Sequence, residues 1–142
     1  MELKMKHLSS QRGWEIVEEK WPDFKGRIFK NRPKNLNEML ENTVSRNSNR
    51  VGLICDDQKL TFKEFDQIVN KITKGLQKYN IKKGDRVSLL LGTGLEFPLS
   101  FFALMKLGAI AVPLNTRFKG EELSYEINDS GSKILIVDQE YW

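Results

Sequence analysis

One cysteine and one histidine in 142 residues each exclude a class of protein. With no second cysteine, Cys55 can belong to neither a disulfide framework nor a cysteine-based metal site, and a reducing compartment fits. His7 stands alone near the start, which leaves a histidine-based triad or zinc site without its other members. No apolar run approaches the roughly 20 residues of a bilayer-spanning helix. The opening MELKMKHLSSQ lacks the apolar stretch of a secretory signal. A cytoplasmic protein with no transmembrane segment is therefore expected.

Positive charge is scarce outside one stretch. The net charge is +4, but residues 1–34 hold nine Lys and Arg against five Asp and Glu, while residues 35–142 hold fourteen of each. Phosphate-tracking surfaces draw their affinity from charge on the folded domain. A neutral domain, with acids interspersed among the cations of the leader, argues against nucleic acid as a partner. The composition is otherwise that of a soluble protein, 39% hydrophobic and 30% charged. That length and composition suffice for one domain with a core.

The most structured stretch is residues 84–114, GDRVSLLLGTGLEFPLSFFALMKLGAIAVPL. Val87, Leu89, Leu90 and Leu91 form a short continuous apolar run, which fits a parallel strand covered on both faces. Gly92 and Gly94 break it. From Glu96 to Leu107 almost no polar face remains, so this helix is expected to be largely buried, with Phe102 between the sheet and other helices. Pro98 suits the first turn and Gly108 a left-handed stop. Residues 109–112 then read as the next parallel strand, which completes a βαβ unit.

Around this unit the chain reads in order. The leader, residues 1–34, shows weak helical spacing through Trp14, Val17, Glu18 and Trp21, which predicts at most a short helix ended by Pro22. Its large aromatics argue against pure disorder and fit either cover for apolar surface or a docking segment. Residues 35–46 space Leu36, Met39, Leu40 and Val44 as a one-sided helix, capped by Asn35 or Asn37. Residues 51–55 and 59–61 flank Asp56, Asp57 and Gln58 as a β-hairpin. Thr61 and Glu64 form a capping box ahead of a helix over 61–79, with Phe62, Phe65, Ile68, Val69, Ile72, Leu76 and Tyr79 recurring. After Pro113 come a loop, a helix near 119–128 with Leu123 and Ile127 inward, a Ser130-Gly131-Ser132 break and a strand over 134–137. The fold class is α/β: an open, mainly parallel sheet flanked by helices, with an N-terminal helix and β-hairpin.

Three segments together carry a resemblance: LTFKEFDQIVNKITKGL, IKKGDRVSLLL and LEFPLSFFALMKLGAIAVPLNTRFKGEELSYEINDSGSKILIVD. In their order and spacing, with the Lys83-Gly84-Asp85 turn, the Leu107-Gly108-Ala109 stop and the Val112-Pro113-Leu114-Asn115 exit, they resemble the N-terminal part of the adenylate-forming enzymes. That superfamily includes acyl-CoA synthetases, luciferase and adenylation domains. The likeness covers about residues 36–138 and leans toward acyl-CoA synthetases. It implies a two-step ligase in which a carboxylic acid attacks the α-phosphate of Mg-ATP to give an acyl-adenylate, and coenzyme A then displaces AMP. The family's phosphate-wrapping loop, Thr-Glu motif, ribose-binding Asp and catalytic Lys all match nothing in this chain. The resemblance therefore implies an incomplete portion of a larger domain over residues 35–142, inactive alone. ATP, Mg and coenzyme A belong to the full-length enzyme, and the remainder of the synthetase is the implied partner.

No residue is expected to be catalytic, cofactor-binding or metal-binding. Gly92-Thr93-Gly94 follows a strand and opens a helix, but Phe97 stands where a dinucleotide fingerprint needs its third glycine. Asp56 and Asp57 read as turn chemistry, and Glu121 and Glu122 as acids favoured in a helix's first turn. Two alternatives stay open at this point: a free-standing Rossmann-like or flavodoxin-like nucleotide-binding module, and a non-enzymatic interaction domain using the aromatic leader. An unpaired sheet edge and an uncovered apolar face on the helix over 61–79 would make the chain self-associate.

Overall fold

The computed structural model describes residues 15–142, which fall into two compact units, one ending at Lys34 and the other running Asn35–Trp142. In the first, β1 (Ile16–Trp21) and β2 (Phe24–Phe29) form an antiparallel hairpin with Trp21 opposite Phe24, so the turn is only Pro22 and Asp23. The short helix expected here does not form. Pro22 presets the φ that a turn's first central position needs, and the flanking Val17, Trp21, Phe24 and Ile28 favour strands. Across the ribbon the Trp21 and Phe24 rings stack with centroids 5.4 Å apart. Lys25 pairs with Glu18 at 2.6 Å, and Lys30 with Glu15 at 3.0 Å. Trp14 and His7 lie outside the described residues.

The second unit runs α1 (Leu36–Asn47), β3 (Val51–Cys55), β4 (Gln58–Thr61), α2 (Phe62–Lys78), β5 (Arg86–Leu90), α3 (Glu96–Leu107), β6 (Ile110–Pro113), α4 (Gly120–Ser130) and β7 (Ile134–Val137), closing with a 3-10 turn over Gln139–Tyr141. Asn35 caps α1, its Oδ1 accepting the Glu38 N–H at 2.9 Å. Asp56 takes the left-handed conformation, φ 49°, in the β3–β4 turn. The box at α2 is complete: Thr61 Oγ1 accepts the Glu64 N–H at 3.2 Å, and Glu64 Oε2 accepts the Thr61 N–H at 2.8 Å. Both members of the box thus satisfy a donor that the first helical turn would otherwise leave free.

β5 is the middle of a parallel sheet ordered β6-β5-β7. Its carbonyls alternate between neighbours: Asp85 and Leu89 accept from Ile110 and Leu114 on the β6 side, Arg86 and Leu90 from Lys133 and Asp138 on the β7 side. Val87, Ser88, Leu89 and Leu90 are all buried, as expected of a strand covered on both faces. Gly108, at φ 70°, ends α3 in the left-handed conformation, a position where a Cβ is disfavoured.

The core lies between β5, α3 and α2. Phe65 and Val69 of α2, Ala103 and Leu104 of α3, and Val87 and Leu89 of β5 belong to one buried cluster. Two expectations change here. The apolar face of α2 is not left uncovered, because Phe65, Val69 and Leu76 are buried. Lys106 on α3 reaches back to Asp66 on α2 at 2.8 Å. Phe102, expected to be buried, is half-buried, its ring edge-on to Phe65 at 5.5 Å and to Phe101 at 5.8 Å. The sealed positions fall on its neighbours Ala103 and Leu104, both 0% exposed. A helix apolar on every side does not disclose in sequence which stripe meets the sheet. On the sheet's other side α4 buries no residue fully, Leu123 and Ile127 being half-buried. Its end is tied to the sheet by hydroxyls: Ser88 Oγ donates to Ser132 Oγ at 2.8 Å, and Ser132 lies 2.9 Å from Ser130 Oγ.

Candidate functional site

Open parallel sheets take ligands outside the carboxyl ends of their strands, where crossovers leave in opposite directions. Here β5 leads to β6 on one side, and the chain crosses back to β7 on the other. The corresponding position is a cleft of about 480 Å³ lined by Leu91, Gly92, Thr93, Gly94, Phe97, Pro98, Thr116 and Tyr141. It draws on the exits of all three strands. A larger concavity, about 680 Å³, is bounded by Gly120, Glu121, Ser124, Tyr125, Asn128 and Asp129. Those residues belong to one helix, so no groups converge on it from separate elements.

The cleft's floor is already bonded within the chain. Gly92 N–H donates to Asp138 Oδ2 at 2.7 Å, which places a carboxylate where the turn of a nucleotide-binding sheet would meet phosphate. A Cβ at Gly92 would lie 3.1 Å from both Glu140 Oε1 and the Tyr141 hydroxyl, and one at Gly94 would lie 2.5 Å from Glu96 Oε2. The atoms met are all side-chain tips, so a Cβ at either position would displace Glu140, Tyr141 or Glu96 rather than the backbone. Tyr141's hydroxyl is held above the usual phenol range, first by its hydrogen bond to the Glu140 carboxylate, then by burial and the Glu140 charge; Thr116 pulls the other way. At neutral pH it is a protonated donor.

Asp138, Glu140 and Glu96 make the turn acidic, and like charges at short range repel. Phosphates of ATP do not fit these residues: a backbone donor they would need is occupied, and the surrounding charge has the wrong sign. The acids do not converge either; among the described residues no group of three His, Cys, Asp or Glu side chains could hold a metal ion.

The structure places the other singled-out residues in local roles. Asp56 shapes the β3–β4 turn, with its carboxylate 4.0 Å from Cys55 Sγ. Glu122 Oε2 accepts the Lys119 N–H at 3.2 Å at the start of α4. Gly92 and Gly94 sit on the cleft, with Phe97 beside them. Sequence reasoning missed Asp138 and the pair Ser88 and Ser132, because their partners are 46 and 44 residues away in the chain. Only the parallel register of β5 with β7 brings them together. The one signal available was polarity at odds with its surroundings, a serine inside an apolar strand and an acid directly after one.

This architecture is the open, parallel α/β kind with a crevice at its strand ends. The chain belongs to the family described as AMP-binding enzyme, whose sequence model matches residues 40–141. It is 41% identical over 80 residues to the long-chain-fatty-acid–CoA ligase FadD13 of Mycobacterium tuberculosis, covering 56% of this chain and 16% of that protein. It is 29% identical over 92 residues to the 3-hydroxybenzoate–CoA/4-hydroxybenzoate–CoA ligase of Thauera aromatica, covering 65% of this chain and 18% of that one. Among solved structures it resembles the anthranilate CoA ligase AuaEII in complex with anthranoyl-AMP, with a TM-score of 0.73 and 34% identity over 75% of this chain and 21% of that chain. The chain thus spans about a fifth of the length of the relatives it matches. Among the described residues no helix is long and apolar enough to cross a membrane.

Proposed function

We propose that residues 35–142 are the N-terminal scaffold of an ATP-dependent, AMP-forming acid–CoA ligase that works in the cytoplasm, with residues 1–34 as a separate leader. The match over residues 40–141 to the AMP-binding enzyme family carries this reading, and relatives named as CoA ligases support it. This portion supplies the parallel sheet and its helices, and holds no catalytic, cofactor-binding or metal-binding residue. ATP, Mg and coenzyme A are the parent enzyme's to bind, together with its carboxylic acid. The Gly92 to Asp138 bond and the bulk of Phe97 speak against a free-standing nucleotide module, since both occupy the turn that such a module keeps open.

Acid-dependent pyrophosphate exchange tests the proposal in two forms. The 142-residue chain alone should give none with a long-chain fatty acid or a hydroxybenzoate, and exchange that tracks the purified chain would overturn the assignment. A chimera in which residues 35–142 replace the matching portion of the M. tuberculosis ligase should retain exchange with a long-chain acid. A folded, soluble chimera with no activity would contradict the scaffold role.

A further inference from the structure

The loops that follow β5, β6 and β7 are tied to one another beyond the point where the sheet stops. The ladder between β5 and β7 closes with Asp138 N–H on the Leu90 carbonyl at 3.1 Å, and that between β5 and β6 with Leu114 N–H on the Leu89 carbonyl at 2.9 Å. One layer further out, side chains take over. Asp138 Oδ2 accepts the Gly92 N–H at 2.7 Å, which joins the loop after β7 to the loop after β5. Tyr141 is held to Asp138 by its own N–H, which donates to the Asp138 carbonyl at 3.0 Å. Its hydroxyl hydrogen-bonds to Thr116 in the loop after β6 as well as to Glu140. The loop that carries Thr116 is braced in turn, since Asn115 Oδ1 accepts the Arg117 N–H at 3.0 Å. Asp138 is the residue that both ties share.

Stability alone would not select these ties. Asp138 and Glu140 crowd the turn together with Glu96, and among the described residues no ion pair joins a cation to any of the three. α3 begins at Leu95 without a side-chain cap, although such a cap stabilises a helix by about 1 kcal/mol. Departures from local preference of this kind collect where geometry matters more than stability. The ties stand at the carboxyl ends of the strands, where open parallel sheets take their ligands. Their acids repel phosphate, so they act on the loops and not on a nucleotide.

We infer that Asp138 is a positioning residue of the parent ligase: through Gly92 it sets the turn that leads into α3, and through Tyr141 it sets the spacing of that turn from the loop after β6. This rests on the scaffold reading and adds a role within it. A displacement of about 1 Å in such a loop can cost about a hundredfold in rate without any contact to the reacting atoms.

The chimera that carries residues 35–142 in the M. tuberculosis ligase tests this, assayed at a temperature where it and its variants are fully folded. Asp138→Ala should lower kcat for pyrophosphate exchange with a long-chain acid about tenfold, with KM for ATP staying within about twofold, since the residue touches no nucleotide. Asp138→Asn keeps an oxygen that can accept the Gly92 N–H, and should restore kcat to within about twofold of the unsubstituted chimera. Tyr141→Phe keeps the ring and loses the hydroxyl; it should lower kcat about threefold, and serves if Asp138→Ala does not fold. An unchanged kcat, even beside a lower denaturation midpoint, overturns the inference by leaving the tie a structural role only. So does Asp138→Asn as slow as Asp138→Ala, or a raised KM at unchanged kcat. An inactive unsubstituted chimera overturns the scaffold reading and this inference with it, whereas an active chimera indifferent to Asp138 overturns the inference alone.

Discussion

The two crossover helices make the same kind of connection and are held in opposite ways. α3 joins β5 to β6 and buries Leu99, Ser100, Ala103 and Leu104, backed by α2 with its own buried Phe65, Val69 and Leu76. α4 joins β6 to β7 and buries nothing fully. One face of the sheet is closed by two helical layers of this chain, the other by a single half-buried helix and a short chain of serine hydroxyls. A βαβ connection therefore fixes topology without fixing stability, which follows the apolar area each helix covers.

Truncation on the two helices should break this comparison most visibly. Leu104→Ala, at a fully buried position, should cost about 3 to 5 kcal/mol, because the sheet and α2 leave little room for the cavity to collapse. Leu123→Ala on α4 should cost below about 1.5 kcal/mol, since its site already opens to solvent. Phe102→Ala falls between the two, near 2 to 3 kcal/mol, as its ring is half-covered. Urea denaturation midpoints rank the three variants. An equal loss from Leu104→Ala and Leu123→Ala would mean that the two faces are equally closed.

Helix starts sharpen the contrast at smaller cost. α2 has both halves of its capping box, whereas at α4 Glu122 accepts the Lys119 N–H without a reciprocal side-chain acceptor. Thr61→Ala should lower stability by about 1 kcal/mol, and Lys119→Ala by a smaller amount, within about 0.5 kcal/mol of none. Thermal unfolding of both variants reads the difference. A loss for Lys119→Ala matching that of Thr61→Ala would show that the two starts are capped alike.

Acid gives a gentler handle. Glu64 is held below the ordinary carboxylate range by its hydrogen bond from the Thr61 backbone, helped by the Thr61 hydroxyl. Asp85 is held low first by its hydrogen bond from Lys133, then by the Lys82 N–H. A folded-state pKa below the unfolded value adds stability that is present above the unfolded pKa and lost as pH falls through the folded one. The denaturation midpoint should therefore decline as pH drops below about 4. The double variant Glu64→Gln, Asp85→Asn should show a shallower decline, and an unchanged slope would remove these two groups from the account.

How much of this was legible in sequence follows the same division. The capping box at Thr61 and Glu64, the Gly108 stop and the continuous run of β5 are local signals, and all three appear as read. The leader misled because Val17, Glu18 and Trp21 satisfy a helical spacing, while the Pro22-Asp23 turn and cross-strand pairs such as Trp21 with Phe24 decide for strands. Phe102 was placed too deep because an all-apolar helix carries no mark of its inner stripe. Asp138's bond to Gly92 was out of reach, as it exists only once β7 lies beside β5.

Equilibrium dialysis of the 142-residue chain against ATP, with Mg and without, tests most directly the proposal that residues 35–142 are scaffold and not site. The account predicts no saturable binding at millimolar nucleotide, because the Gly92 donor is engaged by Asp138 and the turn is ringed by acids. Stoichiometric, saturable ATP binding that is abolished by Gly92→Ala would contradict it.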